Sequence, residues 1–309
     1  MNMIETHALT KYYGKARGIA DLNLSVKQGE FFGFIGPNGA GKSTTIRLLM
    51  GLIHPSSGNI RIFGKDISQN AAHSRKEILA NIGYIPSEAM FYSGTTVREI
   101  LTLSARLRKK DCTAEARILC ERLKLDPGRK TEDLSLGNRK KTAIVCALQH
   151  RPDLCIFDEP TSGLDPLIQK EFFQILRERS REGTTIFLSS HILSEVQEHC
   201  TRAAIIREGS LAACGPISKL AGTAARRICL RGTSCEQLRN IIPDSAAGRI
   251  QDIQENETLL SFLYQGNIKE LADCLVNLSY TDLTITEPDL SEIFMHYYKG
   301  GDSHDTAVL

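Results

Sequence analysis

The stretch Gly36-Pro37-Asn38-Gly39-Ala40-Gly41-Lys42-Ser43-Thr44 constrains this 309-residue chain more than any other, because it meets the phosphate-loop pattern G-x-x-x-x-G-K-[ST] at every position. Glycines let successive backbone N–H groups curl around a phosphate. Lys42 adds a point charge for the outer phosphates, and Ser43 offers a hydroxyl to Mg²⁺. The flanking text agrees: the apolar run Glu30 to Ile35 reads as a buried strand, and Thr44 to Met50 has helical spacing ending at Gly51. Strand, glycine loop and helix form the arrangement that phosphate binding requires, so the chain is expected to take a nucleoside triphosphate.

A second motif, Asp153-Leu154-Cys155-Ile156-Phe157-Asp158-Glu159, is an apolar strand ending in two adjacent carboxylates. A carboxylate at the tip of a buried strand beside the phosphate loop suits the metal's water shell, which assigns Asp158. Strand alternation then points Glu159 the other way, toward an attacking water, as base or water-orienter.

Upstream lies Asp133-Leu134-Ser135-Leu136-Gly137-Asn138-Arg139-Lys140-Lys141. Ser135 reads as the N-cap of a helix through Leu148, which leaves free N–H groups and a positive dipole end at its start. This stretch resembles the L-S-G-G-Q signature loop of ATP-binding-cassette (ABC) ATPases. Ser162-Gly163-Leu164-Asp165 resembles the family's D-loop and Ser189-Ser190-His191 its switch histidine. Tyr13, in Leu9-Thr10-Lys11-Tyr12-Tyr13-Gly14, resembles its adenine-stacking aromatic, with Tyr12 as the neighbouring alternative.

The resemblance covers roughly the first two-thirds of the chain, and what it implies is specific. ATP and Mg²⁺ are the expected cofactors. Gly36, Asn38, Gly39, Ala40, Gly41, Lys42, Ser43 and Thr44 would cradle the phosphates, and Tyr13 would stack on the base. Glu159, His191 and Lys42 would be the catalytic groups. Asp165 would also contact nucleotide, and Ser135 and Gly137 would act at the nucleotide of a second cassette, in a head-to-tail dimer. Ser43, Asp158 and Ser87 would face the metal. Ser87, in Ile82-Gly83-Tyr84-Ile85-Pro86-Ser87-Glu88, stands where the family has a glutamine. A serine is too short to copy that carboxamide, so either a water bridges the gap or Glu88 takes part. Leu136 and Asn138 are further departures, but they leave Ser135 and Gly137 in place.

The implied fold is α/β: an ABC cassette over residues 1–220, with a parallel core sheet, an antiparallel β-subdomain and a helical subdomain. Alternating strands to about Gly64 suit the β-subdomain, and the capping-box spacing of Thr96 and Glu99 opens the helical one. After a linker at Gly222-Thr223-Ala224-Ala225, residues 224–309 read as a small α+β domain, with strands at 227–230, 258–263 and 283–286. The stretch Glu287 to Phe294 resembles the ending of ATPases serving ABC-2-type drug and bacteriocin exporters. Dimer support, regulation and passive stabilisation are equally open roles for this domain.

A net charge of +2 gives no strong draw to nucleic acid, and the basic clusters Arg106 to Lys110 and Arg139 to Lys141 read as solvated helix faces. Nine cysteines without C-x-x-C spacing suggest reduced thiols in the cytosol. No apolar run approaches the ~20 residues needed to cross a bilayer, so separate transmembrane permease subunits are expected as partners. A second ABC subunit, the same or different, completes the set. The expected activity is ATP hydrolysis driving transport, of the export type by what the resemblance implies; an ABC ATPase acting on ribosomes, DNA or a protein complex is the alternative reading.

Overall fold

The computed structural model describes residues 1–67, 72–220, 225–243, 248–256 and 258–286. It divides into two compact units, Met1–Gly215 and Pro216–Leu309.

In the first unit, β1 (Asn2–Tyr13) and β2 (Ala16–Lys27) form an antiparallel pair. Then come β3 (Phe31–Ile35) and helix α1 (Lys42–Leu49), joined by the phosphate loop. Strands β4 (Ser57–Ile62) and β5 (Lys65–Asp66) complete a four-stranded sheet in the order β2-β1-β4-β5. Helix α2 (Ala72–Ala80) leads to β6 (Ile82–Ile85). Helices α3 (Val97–Leu107), α4 (Thr113–Arg122) and α5 (Leu136–Leu148) follow without an intervening strand, as the helical-subdomain expectation requires.

Helix α3 starts where the sequence places it. Thr96 Oγ1 accepts from the Glu99 N–H, and the Glu99 carboxylate accepts from the Thr96 N–H at 2.7 Å. These reciprocal bonds satisfy two otherwise orphaned donors of the first turn.

Strands and helices then alternate through β7 (Leu154–Asp158), α6 (Pro166–Arg181), β8 (Thr185–Ser190), α7 (Leu193–His199), β9 (Arg202–Arg207) and β10 (Ser210–Pro216). The resulting sheet runs β10-β9-β3-β8-β7-β6. The β9/β3, β3/β8, β8/β7 and β7/β6 pairings are parallel. Strands β3, β7 and β8 are buried along their whole length, the pattern of a parallel sheet covered on both faces. Phe187 of β8 anchors that core, with ring centroids 5.8 Å from Phe32 and 5.3 Å from Phe34. Because these strands run in register, their C-terminal ends and the loops after β3, β6, β7 and β8 share one edge, where ligands of open α/β sheets bind.

Charged pairs tie the helical segment to α6. Arg122 of α4 bonds Glu171 at 2.5 Å and pairs with Glu178, while Arg179 of α6 pairs with Glu115 of α4. All nine cysteines are free. No helix among the described residues is long and apolar enough to cross a membrane.

The second unit opens with α8 (Ile217–Leu220). It continues through β11 (Ala225–Arg231), α9 (Cys235–Arg239), β12 (Ile250–Glu255), β13 (Leu259–Gln265), α10 (Ile268–Leu275) and β14 (Asp282–Thr286). Its sheet order is β12-β13-β11-β14, and the pairings are antiparallel. This β-α-β-β-α-β order is a split βαβ arrangement. Ile228, Leu230, Leu260, Phe262 and Tyr264 alternate along β11 and β13 to fill one face, against Leu238, Leu271 and Leu275 of the two helices. The expected linker residues 222–224 and the exporter-like ending from Glu287 lie outside the described residues, and Ala225 belongs to β11.

Candidate active site

The phosphate loop leaves β3 at Gly36 and enters α1 at Lys42, two residues earlier than helical spacing alone suggests. Lys42 is 6% exposed and folds back over the loop, donating from Nζ to Gly36 O at 2.6 Å and Pro37 O at 3.1 Å. Asn38 and Gly39 are exposed, Ala40 is buried, and Gly41, Ser43 and Thr44 are half-buried. Gly39 takes φ +81°, and a Cβ there would meet nothing within 4 Å, so the loop keeps an open concave side. Together these features suit a phosphate anion: helix-start N–H groups, a lysine and unfilled space.

Asp158 ends β7 and is 3% exposed, and its Oδ1 accepts from Ser189 Oγ at 3.1 Å. Burial and the nearby Asp158 charge raise the Tyr84 phenol above its ordinary value. Glu159 does not continue the strand. Its φ is +51°, left-handed backbone that favours glycine, and this turn rather than strand alternation aims its side chain. Oε2 meets His191 Nδ1 at 2.7 Å and accepts from the His191 N–H at 3.3 Å. Oε1 faces Lys42 Nζ at 3.4 Å, an ion-pair contact without hydrogen-bond geometry. The structure thus brings Lys42, Glu159 and His191 into one chain of contacts, with Asp158 adjacent in sequence at the same strand tip.

Glu195, which no sequence motif singles out, supports the histidine loop through its bond to Ser190. It is 9% exposed and accepts from Ser190 Oγ at 2.8 Å, and burial raises its carboxyl above the usual range. The signal for it was weak: an acid in the first turn of a short helix ordinarily reads as a surface dipole partner.

Tyr13 ends β1 and is exposed, with Lys11 Nζ 5.5 Å from its ring centroid. A Cβ on Gly18 would lie 2.9 Å from Tyr13 Cε2 and 3.2 Å from Thr44 Cγ2. The ring therefore stands beside the start of α1. Tyr12 is about equally exposed, so exposure does not separate the two rings.

Ser135, Gly137 and Asp165 form a second group. Ser135 Oγ accepts from the Asn138 N–H at 3.3 Å and caps α5 as its sequence position predicts. A Cβ on Gly137 would sit 2.9 Å from Gly163 O, so only glycine lets the start of α5 and the loop before α6 approach this closely. Asp165 Oδ1 accepts from the Ile168 N–H at 3.1 Å and caps α6. No hydrogen bond among the described residues joins Ser135, Gly137 or Asp165 directly to Lys42, Glu159 or His191. Leu136 stands 62% exposed at the tip of α5, an apolar contact offered outward.

Two basic clusters depart from the expectation of solvated helix faces. Lys140 is 2% exposed and Arg108 is half-buried, bonding Ser104 Oγ at 3.0 Å; Arg139 is exposed as expected. Helical period explains the first case, because Lys140 shares a face with the buried Ala143, Ile144 and Ala147. Ser87 is half-buried and Glu88 exposed.

Comparison with known proteins places this geometry. A family model described as ABC transporter matches residues 19–162. The chain is 43% identical over 213 residues to the bacitracin transport ATP-binding protein BcrA of Bacillus licheniformis, covering 68% of each chain. It is 30% identical over 312 residues to the linearmycin resistance ATP-binding protein LnrL of Bacillus subtilis, covering 95% of this chain and 97% of that one. A solved ATP-binding subunit of an ABC transporter superposes with TM-score 0.66 at 31% identity, covering 72% of this chain and 92% of its own. A dimeric post-hydrolysis cassette bound to ADP and Pi shares the fold, with TM-score 0.62 at 22% identity over 70% of this chain and 99% of that one.

Proposed function

Since this chain belongs to the ABC transporter ATP-binding family, we propose that it is the motor of an exporter, closing on a second cassette when ATP binds and opening after hydrolysis. The observation that carries this reading is the contact chain Lys42–Glu159–His191 at the strand ends, with a serine-capped helix start offered outward at Ser135. Glu159 takes the proton of the attacking water, and His191 fixes the carboxylate through the 2.7 Å contact. Lys42 neutralises phosphate charge. Ser43 and Asp158 would hold Mg²⁺, which when bound would supply Lewis-acid neutralisation of phosphate charge. Ser135 and Gly137 complete the partner's site from across the dimer.

The relatives named for bacitracin transport and linearmycin resistance support export of an antimicrobial compound, with cargo choice lying in separate membrane permeases. The protein then works on the cytoplasmic face of the membrane, bound through those permeases. The second unit, which begins at Pro216 where the sequence suggests a boundary at 220, is an accessory to the motor. Mild-detergent extraction followed by copurification tests the proposal: a hydrophobic multi-span partner is expected, whereas ribosomal or nucleic-acid partners would replace it with the non-transport reading.

Two substitutions probe the nucleotide site. Lys42→Ala should weaken ATP binding by roughly 10–150-fold, the worth of a charge-assisted contact of about 1.5–3 kcal/mol. It should do so in a direct nucleotide titration, and unchanged affinity would remove Lys42 from the phosphate role. Ser87→Gln should leave turnover within about twofold if the serine reaches the metal through a water that is nearly as good as a direct contact. A gain of tenfold or more would show instead that the loop is degenerate at this position.

A further inference from the structure

Lys140 is a lysine with no carboxylate hydrogen-bond partner, buried in the wall of the site. Its Nζ donates to Ser87 O at 2.8 Å, Glu159 O at 3.1 Å and Pro86 O at 3.3 Å. An ammonium has three donors, so all three are used on carbonyls. Burial pulls its pKa below the ordinary lysine value, while the charges of Asp158, Glu159 and Glu88 oppose that shift. A buried charge is retained only where its surroundings satisfy it, and three converging carbonyl dipoles do so here.

Those carbonyls belong to different parts of the catalytic edge. Pro86 and Ser87 follow β6, Glu159 follows β7, and the two strands are parallel neighbours with Ile85 opposite Phe157. The lysine itself rides on α5, whose N-cap is Ser135. One side chain therefore joins the signature helix, the loop where a glutamine is missing and the peptide group of Glu159. It grips Glu159 at the residue whose φ of +51° decides where its carboxylate points.

We propose that Lys140 is a positioning residue for hydrolysis, clamping the Ser87 loop and the Glu159 peptide to the signature helix so that the Glu159 carboxylate stays aimed at the reacting water. This inference rests on the reading of Glu159 as the base. A serine at position 87 cannot span from the loop to the metal and the coupling region by its own side chain. The lysine supplies the mechanical link through the backbone instead. Movement of α5 when a partner engages Ser135 is then transmitted to the base through a bonded contact.

The test is a double-mutant cycle on the full chain. Lys140→Met keeps length and volume and removes the ammonium. It should lower kcat by roughly 10–100-fold, the scale of a small misplacement of a catalytic group, with KM and ATP affinity within about threefold. Added to Glu159→Gln, it should cause less than about a twofold further loss, because it acts through a base already removed. Multiplicative losses in the double variant, a wild-type kcat for the folded single variant, or a loss confined to KM would each overturn the proposal. Should Lys140→Met fail to fold, Lys140→Gln, whose amide still donates two bonds, enters the same cycle with the same expectations at smaller size. Normal turnover by Glu159→Gln alone would instead overturn the assignment of the base, a separate and distinguishable result.

Discussion

Glu159→Gln is expected to cut ATP hydrolysis by roughly 10²–10⁴-fold, the usual contribution of a general base, with ATP affinity preserved. The substitution keeps the shape of the side chain and removes only its charge. Oε1 now faces Lys42 at 3.4 Å and Oε2 meets His191 at 2.7 Å, so the variant also releases the lysine from its ion pair. A lysine relieved of a competing carboxylate attracts phosphate at least as well as before. Binding should therefore stay level or tighten while turnover falls, and this split separates a base from a nucleotide ligand. Phosphate release and a fluorescent-nucleotide titration on the same preparation measure both halves. Turnover at the unsubstituted rate would remove Glu159 from the role of base.

Much of this site was legible in the sequence because its parts are local. The phosphate loop is one unbroken run from Gly36 to Thr44, and the Ser135 cap and the Thr96–Glu99 box each join residues three positions apart; all three form at the residues their patterns name. Lys140 was not legible as buried, because three consecutive basic residues read as a wet surface. Only the helical register with Ala143 and Ile144, together with carbonyls contributed from 53 and 54 residues away in sequence, gives it an interior place. The aim of Glu159 is likewise beyond local pattern: alternation applies inside a strand, and this residue lies one step past the end in left-handed backbone. Strand β12 leaves little pattern in the sequence because Ile250-Gln251-Asp252-Ile253-Gln254-Glu255 buries a single side chain and breaks register between Gln251 and Gln254. Its pairing with β13 is a tertiary fact with little local trace.

Replacing Ser135 with Glu should abolish cooperative hydrolysis, with a loss of roughly 10²–10³-fold, the scale of removing one preorganised anion-stabilising group. The argument turns on what the change does not harm. Ser135 caps α5 through the Asn138 N–H, and loss of that cap costs about 1 kcal/mol. A carboxylate at the same helix start recovers about 0.3–1 kcal/mol from the dipole, so the fold should be nearly as stable as before. Leu136 and Gly137 keep their backbone path, which the Gly163 carbonyl already confines. The new negative charge, however, occupies the one place where the helix start would receive the partner's γ-phosphate, and like charges in a closed, poorly hydrated interface repel by several kcal/mol. Nucleotide binding to the variant's own phosphate loop is untouched. In the Glu159→Gln background, ATP should thus trap a closed pair of cassettes on size exclusion, whereas the Ser135→Glu, Glu159→Gln chain should bind ATP and remain open. A closed pair formed equally well by the double variant would mean that the signature helix does not reach across to a neighbour's nucleotide, and hydrolysis would have to be assigned to a single cassette.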